Sequence, residues 1–135
     1  MNVTVLNSKP AIFDRCEKEF GISWENTIFA VDPFIHSKFA PTDDIIEHEL
    51  VHIKQQRGVG KGGVDHWWNL YFSDSNFRLQ NELEAYKHQY NFLKRTIPLH
   101  REELFRKVHF WASNLSGKTY GNLISLQDAI KEIIT

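Results

Sequence analysis

Residues 42–57 read Thr-Asp-Asp-Ile-Ile-Glu-His-Glu-Leu-Val-His-Ile-Lys-Gln-Gln-Arg, a helical pattern that the rest of the chain has to enclose. Thr42 offers an N-cap hydroxyl, and Asp43 and Asp44 place acids in the first turn, where the helix dipole favours them. The glycines that begin at Gly58 stop the helix near Arg57. At about 100° per residue, Ile46, Leu50 and Ile53 form one apolar face. His48 and His52 fall roughly opposite, flanked by Ile45 and Val51, which leaves Glu47 and Lys54 as the clearest solvent positions. A helix that is apolar around most of its circumference is covered on two sides. Its histidines are therefore expected to face an interior cleft.

Within this helix His48-Glu49-Leu50-Val51-His52 is an HExxH pattern. Two histidines four apart lie on one face, separated by about 6 Å of axial rise, and can share one metal ion. Glu49 is then placed to take a proton from a water beside that ion. Such a pattern also arises by chance in a chain with seven histidines, so its context decides. A second helix, expected from about Ser75 to Arg95, supplies that context. Leu79, Leu83, Tyr86, Tyr90, Leu93 and Ile97 recur at spacings of four and three and mark its buried stripe. Glu82 sits about 60° from the centre of the stripe, whereas Glu84 lies about 140° away. A carboxylate at the edge of a buried stripe needs a partner, because an unpaired buried charge is costly. A metal would be such a partner, with a lysine or arginine as the alternative. Glu82 is the natural third ligand and Glu84 the natural surface charge.

The remaining segments read as follows. Asn2 to Leu6 is a short β-branched run, expected as an edge strand. Pro10 to Phe20 is a helix with Ile12, Phe13, Cys16 and Phe20 inward and Gly21 as its stop. Thr27 to Val31 is a strand, and Phe34-Ile35-His36 pairs with it after the Asp32-Pro33 turn. Gly58 to Gly63 is a mobile loop, and His66 to Phe72 a short helix or turn dense in core aromatics. Leu99 to Leu115 is amphipathic, with Leu104, Phe105, Val108, Trp111, Ala112 and Leu115 inward and His100 and His109 on its polar face or core edge. Gly117 to Gly121 is a turn. Ser125 caps a last helix anchored by Ala129, Ile130, Ile133 and Ile134. The expected fold is α+β: a single domain over residues 1–135, mostly helical, with a small early sheet.

Composition narrows the function. A net charge of −1 and a pI near 6.6 give no push toward nucleic acid or an anionic membrane. Cys16 is the only cysteine, which rules out an internal disulfide and a cysteine-based zinc cluster and fits a reducing compartment. No apolar run approaches the roughly 20 residues of a membrane span. A cytoplasmic protein is expected.

HELVHIKQQ at 48–56, HWWNLYF at 66–72, NELEAY at 81–86 and SGKTYGNLIS at 116–125 together cover about half of the chain in scattered form. With HELVH on one helix and Glu82 on a later one, the arrangement resembles the zincin metallopeptidases. Within them it resembles the gluzincins, and most closely small stand-alone HExxH proteins of bacteria and phages; a phage-borne protein would act in the host cytoplasm or the virion. The resemblance implies a zinc-dependent hydrolase that cleaves a peptide or protein substrate. His48, His52 and Glu82 would be metal ligands and Glu49 the general base. In the family an acid four residues after the third ligand supports a ligand histidine, but here Tyr86 stands in its place. Asp44, Gln55, Gln56 or a backbone carbonyl are left to brace the histidines. Tyr71, His66 and Tyr86 are candidates to stabilise the transition-state oxyanion.

A different class competes with this reading: a metal-stabilised structural or interaction protein, such as a phage accessory protein, that keeps HExxH without hydrolysing anything. An open groove beside the ligands would favour the enzyme, and a side chain plugging the site would favour the rival. A deacylase of the peptide deformylase kind is disfavoured, because Cys16 lies in Arg-Cys-Glu on an expected helix and not in that family's Gly-Cys-Leu context.

Overall fold

A computed structural model describes residues 3–60, 62–96 and 101–135. The order of elements is β1 (Thr4–Leu6), α1 (Phe13–Phe20), β2 (Phe29–Val31), β3 (Phe34–His36), α2 (Asp43–Gly58), α3 (Gly63–Ser73), α4 (Ser75–Thr96), α5 (Arg101–Leu115) and α6 (Leu126–Ile134). Short 3₁₀ turns lie at Trp24–Asn26 and Lys118–Tyr120. The architecture is α+β, with a helical majority after a small early sheet.

β3 is the central strand of the order β1-β3-β2, parallel to β1 and antiparallel to β2, so β1 is an edge strand as expected. The Asp32–Pro33 bond between β2 and β3 is cis. Fully buried Ile35 of β3 meets fully buried Ile53 of α2, and Ile46 and Leu50 pack around them. The apolar face of α2 is thereby spent on the sheet.

The opposite face of α2 looks toward α3 and α4. Side-chain contacts pair residue 44 with 89, 47 with 88 and 55 with 81, so α2 and α4 run antiparallel. α3 is longer than the short helix or turn expected, at 11 residues, and buries Trp67, Trp68, Tyr71 and Phe72 against Phe13, Cys16 and Phe29. A second apolar cluster joins α4, α5 and α6 through Leu79, Leu93, Val108, Leu115 and Ile133. Ser125 Oγ accepts from the Asp128 N–H at 3.1 Å and caps α6.

Three boundary and burial expectations change. Pro10 precedes α1, because its carbonyl accepts from the Phe13 N–H in a separate turn. Phe105 is 56% exposed although Ala112, two turns later on the same face, is fully buried. Phe105 stands at the margin of the stripe, next to Leu104 which packs on the cluster, with its own ring against His109. Ile134 is 47% exposed because it is the last residue of α6, past the end of the cluster that buries Ile133. Asn2, Lys61, Ile97, Leu99 and His100 lie outside the described residues. No helix among the described residues is long and apolar enough to cross a membrane.

Candidate metal centre

The site is built where α2 and α4 run side by side. Glu82 Oε1 lies 3.1 Å from His48 Nε2 and 3.0 Å from His52 Nε2, and the two Nε2 atoms are 3.2 Å apart. These three atoms form a nearly equilateral triangle. Zinc bound tetrahedrally at 2.0–2.1 Å needs ligand atoms about 3.3 Å apart, so the triangle is close to one face of such a tetrahedron. All three residues are buried.

The protons on the imidazoles follow from what stands behind them. Gln55 Nε2 donates to Asn81 O at 3.0 Å, so Gln55 Oε1 faces His52 Nδ1 at 2.8 Å and accepts its proton. Gln89 Nε2 donates to Asp44 Oδ2 at 2.7 Å, so Gln89 Oε1 accepts from His48 Nδ1 at 3.0 Å. Asp44 is fixed in turn by the Thr42 hydroxyl at 2.6 Å. With both Nδ1 atoms donating, each neutral imidazole turns an Nε2 lone pair toward Glu82. Two lone pairs and a carboxylate oxygen then converge with no hydrogen between them. The arrangement requires a cation, either a metal ion or a proton.

In the metal-free chain the proton takes that place. Burial alone would lower the His52 pKa, but the Glu82 carboxylate beside it outweighs burial and holds it at about 9. Burial raises the Glu82 carboxyl, yet His52 and His48 together bring it well below the usual carboxylate range. The other Glu82 oxygen, Oε2, accepts from the Tyr71 hydroxyl at 2.7 Å, so both carboxylate oxygens are fixed.

Glu49, one residue beyond His48, is buried and has no side-chain hydrogen-bond partner among the described residues. Burial raises its carboxyl above the ordinary value against the opposing pull of His52 and His48. It lines a cavity of about 760 Å³ that the triad also borders, together with Tyr86, Gln89, Trp111 and Tyr120. His48, His52 and Glu82 are themselves part of the cavity wall.

The residues expected at the site divide clearly. His48, His52, Glu82 and Glu49 are brought together, and Glu84 is exposed. Gln55 braces His52 directly, and Asp44 reaches His48 through Gln89. Gln56 does neither: its amide is buried against the sheet, donating to Ala30 O at 2.6 Å and accepting from Asp32 N–H at 2.7 Å. Among the oxyanion candidates, His66 is exposed on α3 and away from the cavity wall, because Trp67 takes the inward position against His52. Tyr71 spends its proton on Glu82. The Tyr86 ring lies against His48 with centroids 4.5 Å apart, and its hydroxyl has no hydrogen-bond partner among the described residues. Burial, then Glu82, raises its pKa well above the usual phenol value, so it stays a donor. Cys16 lines the cavity with its thiol pushed up to about 12 by burial, and behaves as a small apolar residue.

Two residues escaped the sequence reading. Gln89 lies seven residues after Glu82, two turns along the same face of α4, and a buried amide at the stripe's edge needs a partner just as an acid does. Tyr120 belongs to the SGKTYGNLIS stretch, and its 3₁₀ turn carries it to Tyr71 and the cavity. Comparison with family models, with curated proteins and with solved structures finds no match for the chain.

Proposed function

We propose that the chain is a zinc-dependent hydrolase, a metallopeptidase of the gluzincin type that cleaves peptide bonds. One observation carries this reading: three atoms able to ligate a metal, 3.0–3.2 Å apart on His48, His52 and Glu82, border an open cavity that Glu49 also lines. Two imidazoles and one carboxylate are the donor set of a catalytic zinc site, which leaves a coordination position free, and the imidazoles favour zinc over the hard cations. When bound, zinc would acidify the attacking water and polarise the substrate carbonyl.

The chain's own residues supply the rest. Glu49 accepts the proton from the attacking water, and its raised carboxyl suits that task. It then returns the proton to the leaving nitrogen. Tyr86, protonated and facing the cavity, is the described phenol best placed to donate to the developing oxyanion. Tyr71 fixes Glu82, and the two glutamines fix the imidazole tautomers. The resemblance of HELVH and NELEAY to gluzincins points the same way. The rival, a metal-stabilised interaction protein, would be favoured by a plugged site, and the cavity beside the triad speaks against it.

The test is hydrolysis of a peptide library by zinc-loaded protein, read by mass spectrometry. Glu49→Gln should keep the zinc and lose cleavage by at least about a hundredfold, the scale of a general base. Equal turnover by this variant would overturn the assignment.

A further inference from the structure

Glu103, Arg106, Lys107, Phe110 and Trp111 recur on α5 at spacings of three and four, so they share one helix face, and all five border the cavity beside the triad. The inner end of this face is tied to a metal-ligand candidate through aromatic contacts. The Trp111 ring stacks on Tyr86 with centroids 5.0 Å apart, and the Tyr86 ring lies 4.5 Å from that of His48. Counting back from Trp111 at about 1.5 Å per residue, Lys107 and Arg106 stand about 6 and 7.5 Å along the helix, and Glu103 about 12 Å.

Among the described residues, Arg106 and Lys107 are the only arginine and lysine on the cavity wall. Neither is in an ion pair with a described residue, although Glu103 is three and four positions away on the same face. The acids deeper in the cavity are engaged elsewhere. Thr42 and Gln89 hold Asp44, while the two histidines and Tyr71 hold Glu82. Two unpaired cations beside a site that works on peptide bonds match a carboxylate, the anion that peptides carry. A guanidinium offers it two parallel donors, and an ammonium a compact charge. With two cations and one acid the face keeps a single net positive charge, which suits one carboxylate and disfavours a polyanion.

We propose that Arg106 and Lys107 select peptides that carry a carboxylate within about three residues of the cleaved bond, as a free C-terminus or an acidic side chain. At about 3.3 Å per extended residue, one to three residues cover the stretch from the triad to these cations. This rests on the metal-centre reading above. Arg106 is exposed and Lys107 half-buried, so the pair contributes a modest, salt-sensitive preference and not tight binding.

The experiment uses hydroxamates, which bind the metal without turnover, titrated onto zinc-loaded protein by calorimetry at low ionic strength. Acetohydroxamate is the control. The monohydroxamates of succinic acid, succinyl-glycine and succinyl-glycylglycine carry a terminal carboxylate at increasing reach, and each is compared with its C-terminal amide. N-acetylglutamyl hydroxamate, compared with its glutamine counterpart, carries the carboxylate on a side chain. At least one acid should bind about fivefold or more tighter than its amide, the scale of two solvent-facing ion pairs. The series that shows the preference tells a free C-terminus from an acidic side chain. Joint substitution Arg106→Gln and Lys107→Gln should bring the ratio below about twofold and leave acetohydroxamate affinity unchanged, whereas attraction to the zinc charge alone would survive it. Glu103→Gln, which removes the acid from the same face, should keep or raise the ratio. Equal affinity of every acid and its amide, a ratio undiminished in the double variant, or a ratio lost in Glu103→Gln would each overturn the proposal. Failure of acetohydroxamate itself to bind would instead bring down the metal-centre reading, and the substrate inference with it.

Discussion

The polar face of α2 is more completely buried than its apolar face, where Ile53 is buried but Ile46 and Leu50 only partly so, and the two are held by opposite physics. On the sheet side Ile46, Leu50 and Ile53 lose water against Ile35 and Ala30, and their stabilisation scales with area and tolerates small shifts. On the α4 side Asp44, His48, Glu49 and His52 are no more exposed than core residues, yet every buried side-chain nitrogen and oxygen among the described residues has a partner or touches the cavity. Area contributes little there. Direction does, because each polar atom must meet a specific acceptor or donor. The comparison teaches that one helix can be clamped by its apolar face so that its polar face can be kept in an arrangement it would not choose alone, with three acceptors facing one point.

That contrast can be broken from either side. The largest effect is expected from Ile53→Ala, which should lower unfolding free energy by about 2–5 kcal/mol in denaturant titrations, with and without zinc, while leaving the affinity of the folded protein for metal nearly unchanged. A parallel collapse of metal affinity would mean the two faces are not separable. Next, Gln89→Leu removes the acceptor behind His48 and leaves Asp44 with the Thr42 hydroxyl as its remaining side-chain donor; zinc affinity, by competition with a chelator, should fall about 10- to 100-fold with a smaller loss of stability. Gln55→Leu should weaken zinc by less than Gln89→Leu, since Gln55 is part-exposed and backed by the Asn81 carbonyl and the exposed Glu84 carboxylate, where Gln89 is backed by a buried carboxylate.

The pH dependence sharpens the same point. In the metal-free chain the His52 pKa is raised from 6.5 to about 9, so its pairing with Glu82 contributes stability fully below pH 6.5 and loses it as pH rises through about 9. Glu82 is lowered, so its contribution is present above pH 4.5 and is lost as pH falls through its depressed value. The thermal midpoint of metal-free protein should therefore fall between pH 7 and pH 10, and Glu82→Gln should flatten that fall. The smallest signal is a proton count. Zinc binding at pH 7 should release about one proton from His52, measured by calorimetry in buffers of differing ionisation enthalpy.

Much of this was legible along the chain because it is local. The start of α2 after Thr42, the four-residue spacing of His48 and His52, the stripe of α4 and the position of Glu82 at its edge all depend on a few neighbouring residues, although the Thr42 hydroxyl donates to Asp44 and does not cap the helix. What could not be read depends on two helices meeting. Gln89 reaches Asp44 across 45 positions, and Tyr120 joins Tyr71 only after the chain has turned back through α5. Gln56 carried the same local signature as Gln55, yet one residue rotates its side chain by about 100° from the site to the sheet. Phe105 and Ile134 share a stripe with buried residues, but a stripe does not say where its cover ends.

The measurement that bears most directly on the account is metal content of the purified chain, by plasma mass spectrometry, beside His48→Ala and Glu82→Ala. One zinc per wild-type chain, lost in both variants while their helical circular dichroism persists, is the expected result. Zinc retained by folded Glu82→Ala, or wild-type protein that binds none from a zinc-containing buffer, would contradict it.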